Sequence, residues 1–204
     1  MHPEAITSQA KNLLPKFGSF KDFYLAGGTA LALQLGHRVS VDFDWFSDQK
    51  ISSSLPDEVS RIFSGHGIKI EVNNPTEFTA LIGGVKTTFL HYPFPMLLLA
   101  AEWEGMKLAQ VLEIAAMKAY TIGRRSQLKD YIDIYAALNS GVSLKEVVAA
   151  AEKKFGENFS SRLFLEQLVY LGDVDEEPIQ FLWTKVSKKE LQGFFEKEIS
   201  VFKF

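Results

Sequence analysis

The chain has 204 residues, of which 47% are hydrophobic and 23% are charged, and its formal net charge is -3. A chain of this length and composition can bury a sizeable core as one domain or two small ones, and the absence of cysteine excludes disulfides, thiolate metal sites and a cysteine nucleophile. The charge argues against a surface that coats nucleic acid generally, and no run approaches the roughly 18 apolar residues of a membrane span, so we expect a cytoplasmic protein with no membrane partner.

The first part of the chain predicts a helix, a strand, a second helix and a second strand. In chain order these are residues 3–16, 23–26, 29–35 and 41–46. Gly36 follows the second helix and is a usual helix-stop residue. The turn between the first strand and the second helix is Gly27-Gly28.

The Gly27-Gly28 turn has the properties of a phosphate-binding turn. Glycine lets backbone N–H groups approach a phosphate closely, and the N-terminus of the following helix adds its partial positive charge. We expect Thr29 either to cap that helix or to donate its hydroxyl to a phosphate chain. A simple tight turn also contains such a pair of glycines, so this signal is weak when taken alone.

Two aspartates alternate in the second predicted strand. Asp42 and Asp44 project to the same side, about 7 Å apart along the chain, because strand side chains alternate between faces. Such a pair suits Mg²⁺, which takes one or two carboxylates plus water and substrate phosphates. A solvated strand edge is the other reading of the pair alone. The glycine turn lies just upstream, with Arg38 between, and this conjunction predicts a metal-dependent phosphoryl-transfer site.

The rest of the chain predicts an antiparallel meander and then a helical half. A helix over 55–63 precedes strands at 68–72, 78–82 and 85–92, with Gly83-Gly84 as a hairpin turn. The apolar run 95–101 is predicted to be buried. Helices follow at 109–122, 127–138, 144–155, 159–170 and 189–202, with Ser143 as an N-cap. We therefore divide the chain into an α/β core, 1–92, and a mainly helical part, 93–204, with prolines at the junction.

The predicted helical part carries charged residues that share helix faces. Lys118 and Arg125 lie seven residues apart and could both point across a cleft toward nucleotide phosphates. A solvated surface lysine is the alternative for Lys118, and periodicity alone favours it. Asp130 and Asp133 also share a face, and Lys129 is spaced to pair with Asp133 as part of a salt-bridged helix start.

These motifs resemble those of a known enzyme family. The quoted residues are Leu25-x-Gly27-Gly28-Thr29-Ala30-Leu31, Gly36-His37-Arg38-x-Ser40-x-Asp42-x-Asp44-x-Phe46, Ile114-Ala115-Ala116-Met117-Lys118-Ala119, Arg124-Arg125 and Lys129-Asp130-Tyr131-Ile132-Asp133-Ile134-Tyr135. They resemble the signature of the AbiEii/AbiGii toxin family, within the polymerase-β-like nucleotidyltransferase superfamily. The resemblance spans roughly residues 23–138.

The resemblance implies an α+β fold, with a mixed sheet, flanking helices and a C-terminal helical bundle. It implies an enzyme of the EC 2.7.7 type that uses Mg²⁺ to transfer NMP from an NTP to an acceptor hydroxyl, as some relatives do to the 3′ end of tRNA. A cognate antitoxin is the implied protein partner. The implied site residues are Asp42, Asp44 and Asp130 as catalytic groups, Asp42 and Asp44 as ligands of two Mg²⁺ ions, and Gly27, Gly28, Thr29, Arg38, Lys118 and Arg125 as nucleotide-binding groups. Asp130 is the residue implied to orient or deprotonate the acceptor hydroxyl.

One element departs from the superfamily pattern, in which a later strand supplies a third carboxylate facing the aspartate pair. The strand predicted at 85–92 contains no acid. Glu71, Glu102, Glu104 or Asp130 could substitute for it, and the spacing does not choose among them. Two other functions therefore stay open: a nucleotide-binding or interaction module with reduced catalysis, and a small-molecule nucleotidyltransferase of the drug-modifying kind.

Overall fold

The N-terminal segment is broken into three short helical pieces instead of the single helix predicted over 3–16. The computed structural model describes residues 1–125 and 127–202. It has a 3-10 turn at Pro3–Ala5, helix α1 at Ser8–Leu13 and a 3-10 helix at Leu14–Ser19. Thr7 is extended, and its hydroxyl accepts a hydrogen bond from the Ala10 N–H, so α1 begins after it. Pro15 has no N–H to donate, and the α-helical ladder ends at Leu13.

A seven-stranded mixed sheet forms the centre of the molecule. Its strands are β1 Tyr24–Ala26, β2 Phe43–Ser47, β3 Ile68–Asn74, β4 Glu77–Ile82, β5 Val85–His91, β6 Ala101–Trp103 and β7 Met106–Leu108. Their order is β3-β4-β5-β2-β1-β7-β6, with β2 parallel to β5, β1 parallel to β7 and the other neighbours antiparallel. The predicted mixed sheet is confirmed, as is the hairpin at Gly83-Gly84, where both φ angles are positive.

Strands β6 and β7 were not predicted. They have three residues each and are joined by Glu104 and Gly105, whose φ angles of 50° and 76° make a tight turn. The segment is too short for its alternation to stand out from a loop. The sheet takes strands from both sides of residue 92, and the division into 1–92 and 93–204 stays a prediction.

Seven α-helices follow α1 among the described residues, close to their predicted positions. They are α2 Gly27–Leu35, α3 Leu55–Ile62, α4 Val111–Thr121, α5 Leu128–Asn139, α6 Leu144–Phe155, α7 Ser161–Val169 and α8 Lys188–Ser200. Gly36 ends α2 with a φ of 65°, and Ser143 caps α6 in a capping box with Glu146. No helix in the described ranges is long and apolar enough to cross a bilayer.

The side chains of strand β2 alternate between the hydrophobic core and the candidate site. Phe43 and Trp45 are buried in an aromatic cluster, where the Phe17 ring lies 4.9 Å from Phe43 and 4.8 Å from Trp45. Asp44 therefore projects from the opposite face of the sheet, where α2 packs against α4 and α5. The aromatic residues around the acids thus anchor the strand that presents them.

The apolar run 95–101 is not the buried segment that its composition predicts. Leu99 is 89% exposed. Backbone hydrogen bonds hold the run instead: the Glu113 carboxylate accepts from the N–H groups of Leu97 and Leu98, at 2.9 and 3.2 Å. Lys154 donates to the Pro95 carbonyl and to Glu113, both at 2.6 Å. A buried ion pair, rather than side-chain burial, fixes this loop.

Residues 173–187, the C-terminal strap, connect α7 to α8 across the loop after α2. The Val39 N–H donates to the Gln180 carbonyl at 2.8 Å, and the Leu182 N–H donates to the His37 carbonyl at 3.1 Å. The strap thereby closes one side of the region where the predicted site residues lie.

Candidate active site

Asp42 and Asp44 lie in a cleft of about 720 Å³. Strand β2 begins at Phe43, so Asp42 directly precedes it and Asp44 lies within it. Both side chains are half-buried and line the cleft. Burial raises the pKa of Asp44, Lys118 opposes this shift, and the nearby Asp42 adds to it. A bound cation would relieve the cost of keeping both carboxylates charged.

The glycine turn lies directly against these acids. Gly27 has a φ of 66°, and a Cβ atom there would be 3.0 Å from Asp44 Oδ2. A Cβ atom on Gly28 would overlap the guanidinium of Arg38. Helix α2 begins at Gly27, and its N-terminus is therefore beside Asp44, where its partial charge favours an anionic ligand. Close packing therefore favours glycine at both positions, and the positive φ angle favours it additionally at Gly27.

Thr29 connects helix α2 to the segment that carries the acids. Its buried hydroxyl donates to the Asp42 carbonyl oxygen and lies 2.7 Å from Ser40 Oγ. The N-cap of α2 is Ala26, which makes no side-chain cap hydrogen bond. The prediction that Thr29 caps this helix is therefore wrong. The hydroxyl instead holds the backbone at Asp42.

A buried ion cluster lies beside the acids, centred on Asp130 and Asp133 of α5. Lys118 of α4 reaches both carboxylates, at 2.6 Å from Asp130 and 2.7 Å from Asp133. Arg125 donates two hydrogen bonds to Asp130, at 2.7 and 2.8 Å, and Arg38 donates two to Asp133, at 2.8 and 3.0 Å. Both aspartates are 0% exposed. The shared face predicted for them on α5 is confirmed.

The cluster keeps Asp133 and Lys118 ionised in spite of their burial. Burial raises the pKa of Asp133. The charges of Arg38 and Lys118 and the hydrogen bond from His37 lower it by more, so the pKa lies well below its ordinary value. Burial lowers the pKa of Lys118, and Asp133 and Asp130 more than reverse this, so that its pKa is raised. These groups are therefore charged across the neutral pH range.

The ion cluster corrects three predictions made from helix spacing. Lys118 is not a solvated surface lysine, since it is 5% exposed. Arg125 does not share a helix with Lys118, because α4 ends at Thr121. Its guanidinium pairs with Asp130 of α5 instead. Lys129 does not pair with Asp133; its Nζ lies 3.8 Å from Glu177 of the strap.

None of the substitutes considered for a third carboxylate lies beside the aspartate pair on the sheet. Glu71 on β3 and Glu102 on β6 are each three strands away from β2, or about 14 Å at the usual strand spacing. Glu104 is in the turn after β6, and both oxygens of Asp130 face cations. Across residues 1–125 and 127–202 no group of three or more His, Cys, Asp and Glu could hold a metal ion. The residues present fit one Mg²⁺ ion held by two carboxylates and completed by water and substrate phosphates.

Sequence reasoning missed other residues that line the cleft. Lys86 on β5 shares a sheet face with Asp44, and its place in the strand alternation was the signal that could have found it. The cleft is also lined by Tyr92 after β5, by Tyr120 of α4 and by Gln180, which belongs to the strap. The strap carries no periodic pattern, and nothing in the sequence predicted that it would reach this site.

The comparisons with known proteins agree with this architecture. The family model described as nucleotidyl transferase AbiEii toxin, Type IV TA system, matches residues 11–100. An uncharacterised protein of Aquifex aeolicus, aq_aa25, is 30% identical over 203 residues, covering 94% of this chain and 93% of its own length.

Two solved structures from Helicobacter pylori share the fold. One is a candidate nucleotidyltransferase, with a TM-score of 0.58 and 16% identity, over 95% of this chain and 96% of its own. The other, JHP933, has a TM-score of 0.57 and 16% identity, over 96% and 94%. The solved structures confirm the expected fold class, and the family match confirms the expected enzyme class. The expected resemblance is confirmed: residues 11–100, which include the glycine turn and the aspartate pair, match the AbiEii family of nucleotidyltransferase toxins.

Proposed function

We propose that the protein uses Mg²⁺ to transfer NMP from an NTP to an acceptor hydroxyl. One observation carries the proposal: a single cleft contains an aspartate pair, a glycine turn at a helix N-terminus and a set of fixed cations. These groups come from two parts of the chain, residues 27–44 and residues 118–125, which are distant in sequence. Phosphoryl transfer depends on positioning and on charge stabilisation, and this arrangement can supply both.

In this proposal Asp42 and Asp44 hold the metal. When bound there, Mg²⁺ would neutralise phosphate charge and orient the triphosphate for in-line transfer. The Gly27-Gly28 turn offers backbone N–H groups at the N-terminus of α2, directly beside Asp44. Lys118, with its pKa raised, faces the same cleft and would attract the phosphates from the opposite side.

Arg38 and Arg125 line the cleft and are held in place by the buried aspartates. For Asp130, both oxygens already accept hydrogen bonds from Lys118 and Arg125. We therefore propose that Asp130 positions these two cations. The direct action on the acceptor hydroxyl that the sequence suggested requires Asp130 to lose one of those bonds, and it stays a prediction.

The acceptor that we propose is the 3′ end of a tRNA, because the motifs resemble a family in which some members modify it. A cognate antitoxin is the proposed protein partner, since the family model describes a type IV toxin–antitoxin system. The helical part beyond residue 92 is proposed to complete the cleft, because Lys118 and the two buried aspartates belong to it.

Incubation of the purified protein with Mg²⁺, each labelled NTP and total tRNA tests this function. We expect label on RNA, and we expect Asp42→Ala and Asp44→Ala to abolish it. Asp48→Ala is the matched control, because Asp48 is exposed, follows β2 directly and lies outside the cleft. Nucleotide binding without transfer to RNA or protein would contradict the proposal. It would favour the nucleotide-binding module, and transfer only to an added aminoglycoside would favour the drug-modifying class.

A further inference from the structure

Lys86 differs from the other cations of the cleft, and the inference drawn from it rests on the proposed function. The described residues that line the cleft include the cationic side chains Arg38, Lys86, Lys118, Arg125 and Lys129. Four of these have a carboxylate within 4 Å: Asp133, Asp130 or Glu177. Lys86 has no such partner among the residues that the structure describes. It is therefore the cleft cation whose charge is not already used by the fold.

The register of the sheet places Lys86 on the same side of the cleft as the acids. Strand β5 runs parallel to β2, with Thr88 opposite Asp44 and Thr87 opposite Phe43. If this register is continued by one residue, Lys86 lies opposite Asp42, and the two backbones are about 5 Å apart. Lys86 is exposed, and its position in β5 puts it on the cleft face. The paired cations Lys118 and Arg125 lie on the helical side of the same cleft.

We propose that Lys86 is a catalytic residue that binds the triphosphate and supplies the positive charge that a second metal ion would otherwise provide. Two carboxylates fit one Mg²⁺, as argued above, and a two-metal arrangement needs further ligands that this face of the sheet does not have. A lysine ammonium is a compact point charge on a flexible stem, and it can follow phosphate charge as it develops. The site works with one ion and one lysine.

In the proposed reaction Lys86 contributes its positive charge and transfers no proton. The acceptor oxygen forms a bond to the α-phosphorus, the bond from that phosphorus to the bridging oxygen breaks, and pyrophosphate leaves. The proton of the acceptor hydroxyl passes to solvent. Lys86 stays protonated throughout and stabilises the negative charge that accumulates on the phosphate oxygens.

Counting bound Mn²⁺ tests the proposal without any turnover. The protein is saturated with an α,β-methylene analogue of each of the four NTPs, and bound Mn²⁺ per chain is measured by electron paramagnetic resonance. We expect one ion in the wild-type complex and two in Lys86→Glu, which adds a third carboxylate beside Asp42 and Asp44. Lys69→Glu is the matched control. Lys69 of β3 lies opposite Leu81 of β4, which in turn lies opposite Lys86 of β5, so Lys69 is two strands away from Lys86 and outside the cleft. It should bind one ion.

Two ions in the wild-type complex, or one in Lys86→Glu that is folded by circular dichroism, would overturn the proposal. A second variant covers the chemistry: Lys86→Ala should lower kcat/KM about 100-fold, as loss of a group that stabilises developing charge does, while Lys86→Arg recovers part of it. Wild-type kcat/KM in Lys86→Ala would also overturn it. If the wild-type protein transfers no nucleotide, the proposed function fails, and the ion count still decides the role of Lys86.

Discussion

Replacing Asp133 by asparagine removes one charge from the centre of the ion cluster. The carboxylate is 0% exposed and pairs with Arg38, Lys118 and His37. Arg38 loses its only carboxylate partner among the described residues, whereas Lys118 keeps Asp130. Removing one partner of a buried ion pair costs about 3–5 kcal/mol, because the other charge is left uncompensated. We expect the free energy of unfolding to fall by that amount in urea titrations, a large part of the stability of a typical domain.

The control is Glu166→Gln, which breaks the exposed pair that Glu166 makes with Arg162 at 2.8 Å. Such exposed pairs contribute about 0–1 kcal/mol, so this variant should unfold almost like the wild type. If the free energy of unfolding of Asp133→Asn were less than about 1 kcal/mol below that of the wild type, the argument from burial would be wrong. The cluster would then hold the site without stabilising the fold.

The pH dependence of the same variant gives an independent check. The pKa of Asp133 is lowered on folding, because its attraction to Arg38 and Lys118 and its hydrogen bond to His37 outweigh the effect of burial. Its contribution is therefore fully present above the unfolded-state pKa of about 3.9 and is lost as the pH falls through the folded-state value. The stability difference between wild type and Asp133→Asn should be constant near neutral pH and should shrink only below about pH 4. A difference that shrinks on going from pH 7 to pH 5 would assign the effect to another group.

Two further substitutions test packing and the second ion pair, each by urea unfolding. Gly28→Ala should cost about 1–3 kcal/mol, because the new methyl group overlaps the Arg38 guanidinium; Gly193→Ala, in an open position of α8, should instead stabilise by about 1 kcal/mol. Lys154→Met should cost about 3–5 kcal/mol, because it leaves Glu113 buried and unpaired. Combining it with Glu113→Gln should recover most of that loss, and failure to recover would show that the loop contacts, not the charge, set the cost.

The elements that the sequence predicted well are those with local signals. Helix α6 was predicted with both of its ends, because Ser143 and the capping box define its start and the apolar spacing is regular. Strand alternation predicted that Asp42 and Asp44 project to the same side, and both side chains line the cleft. The short strands β6 and β7 and the strap lack such local signals, and their places depend on backbone hydrogen bonds to distant residues.

The partners of the charged residues were harder to predict than their positions. Spacing along a helix suggested that Lys129 pairs with Asp133, yet Asp133 is buried and takes Arg38 and Lys118 from other parts of the chain. An i,i+4 pair on a helix surface is worth only a few tenths of a kcal/mol. A long-range buried pair of better geometry therefore overrides it. Local spacing shows which residues share a face and leaves open which of them meet.

The bidentate pair between Arg38 and Asp133 also has a consequence for how the protein is made. The two residues are 95 positions apart, and a ribosome that adds about 5–20 residues per second needs roughly 5–20 s to synthesise that interval. During this time the glycine turn and Asp44 are already made, but the carboxylate that holds Arg38 over Gly28 does not yet exist. Nascent chains and truncated products that end before α5 therefore carry the signature motif without the buried aspartates that hold its arginine in place.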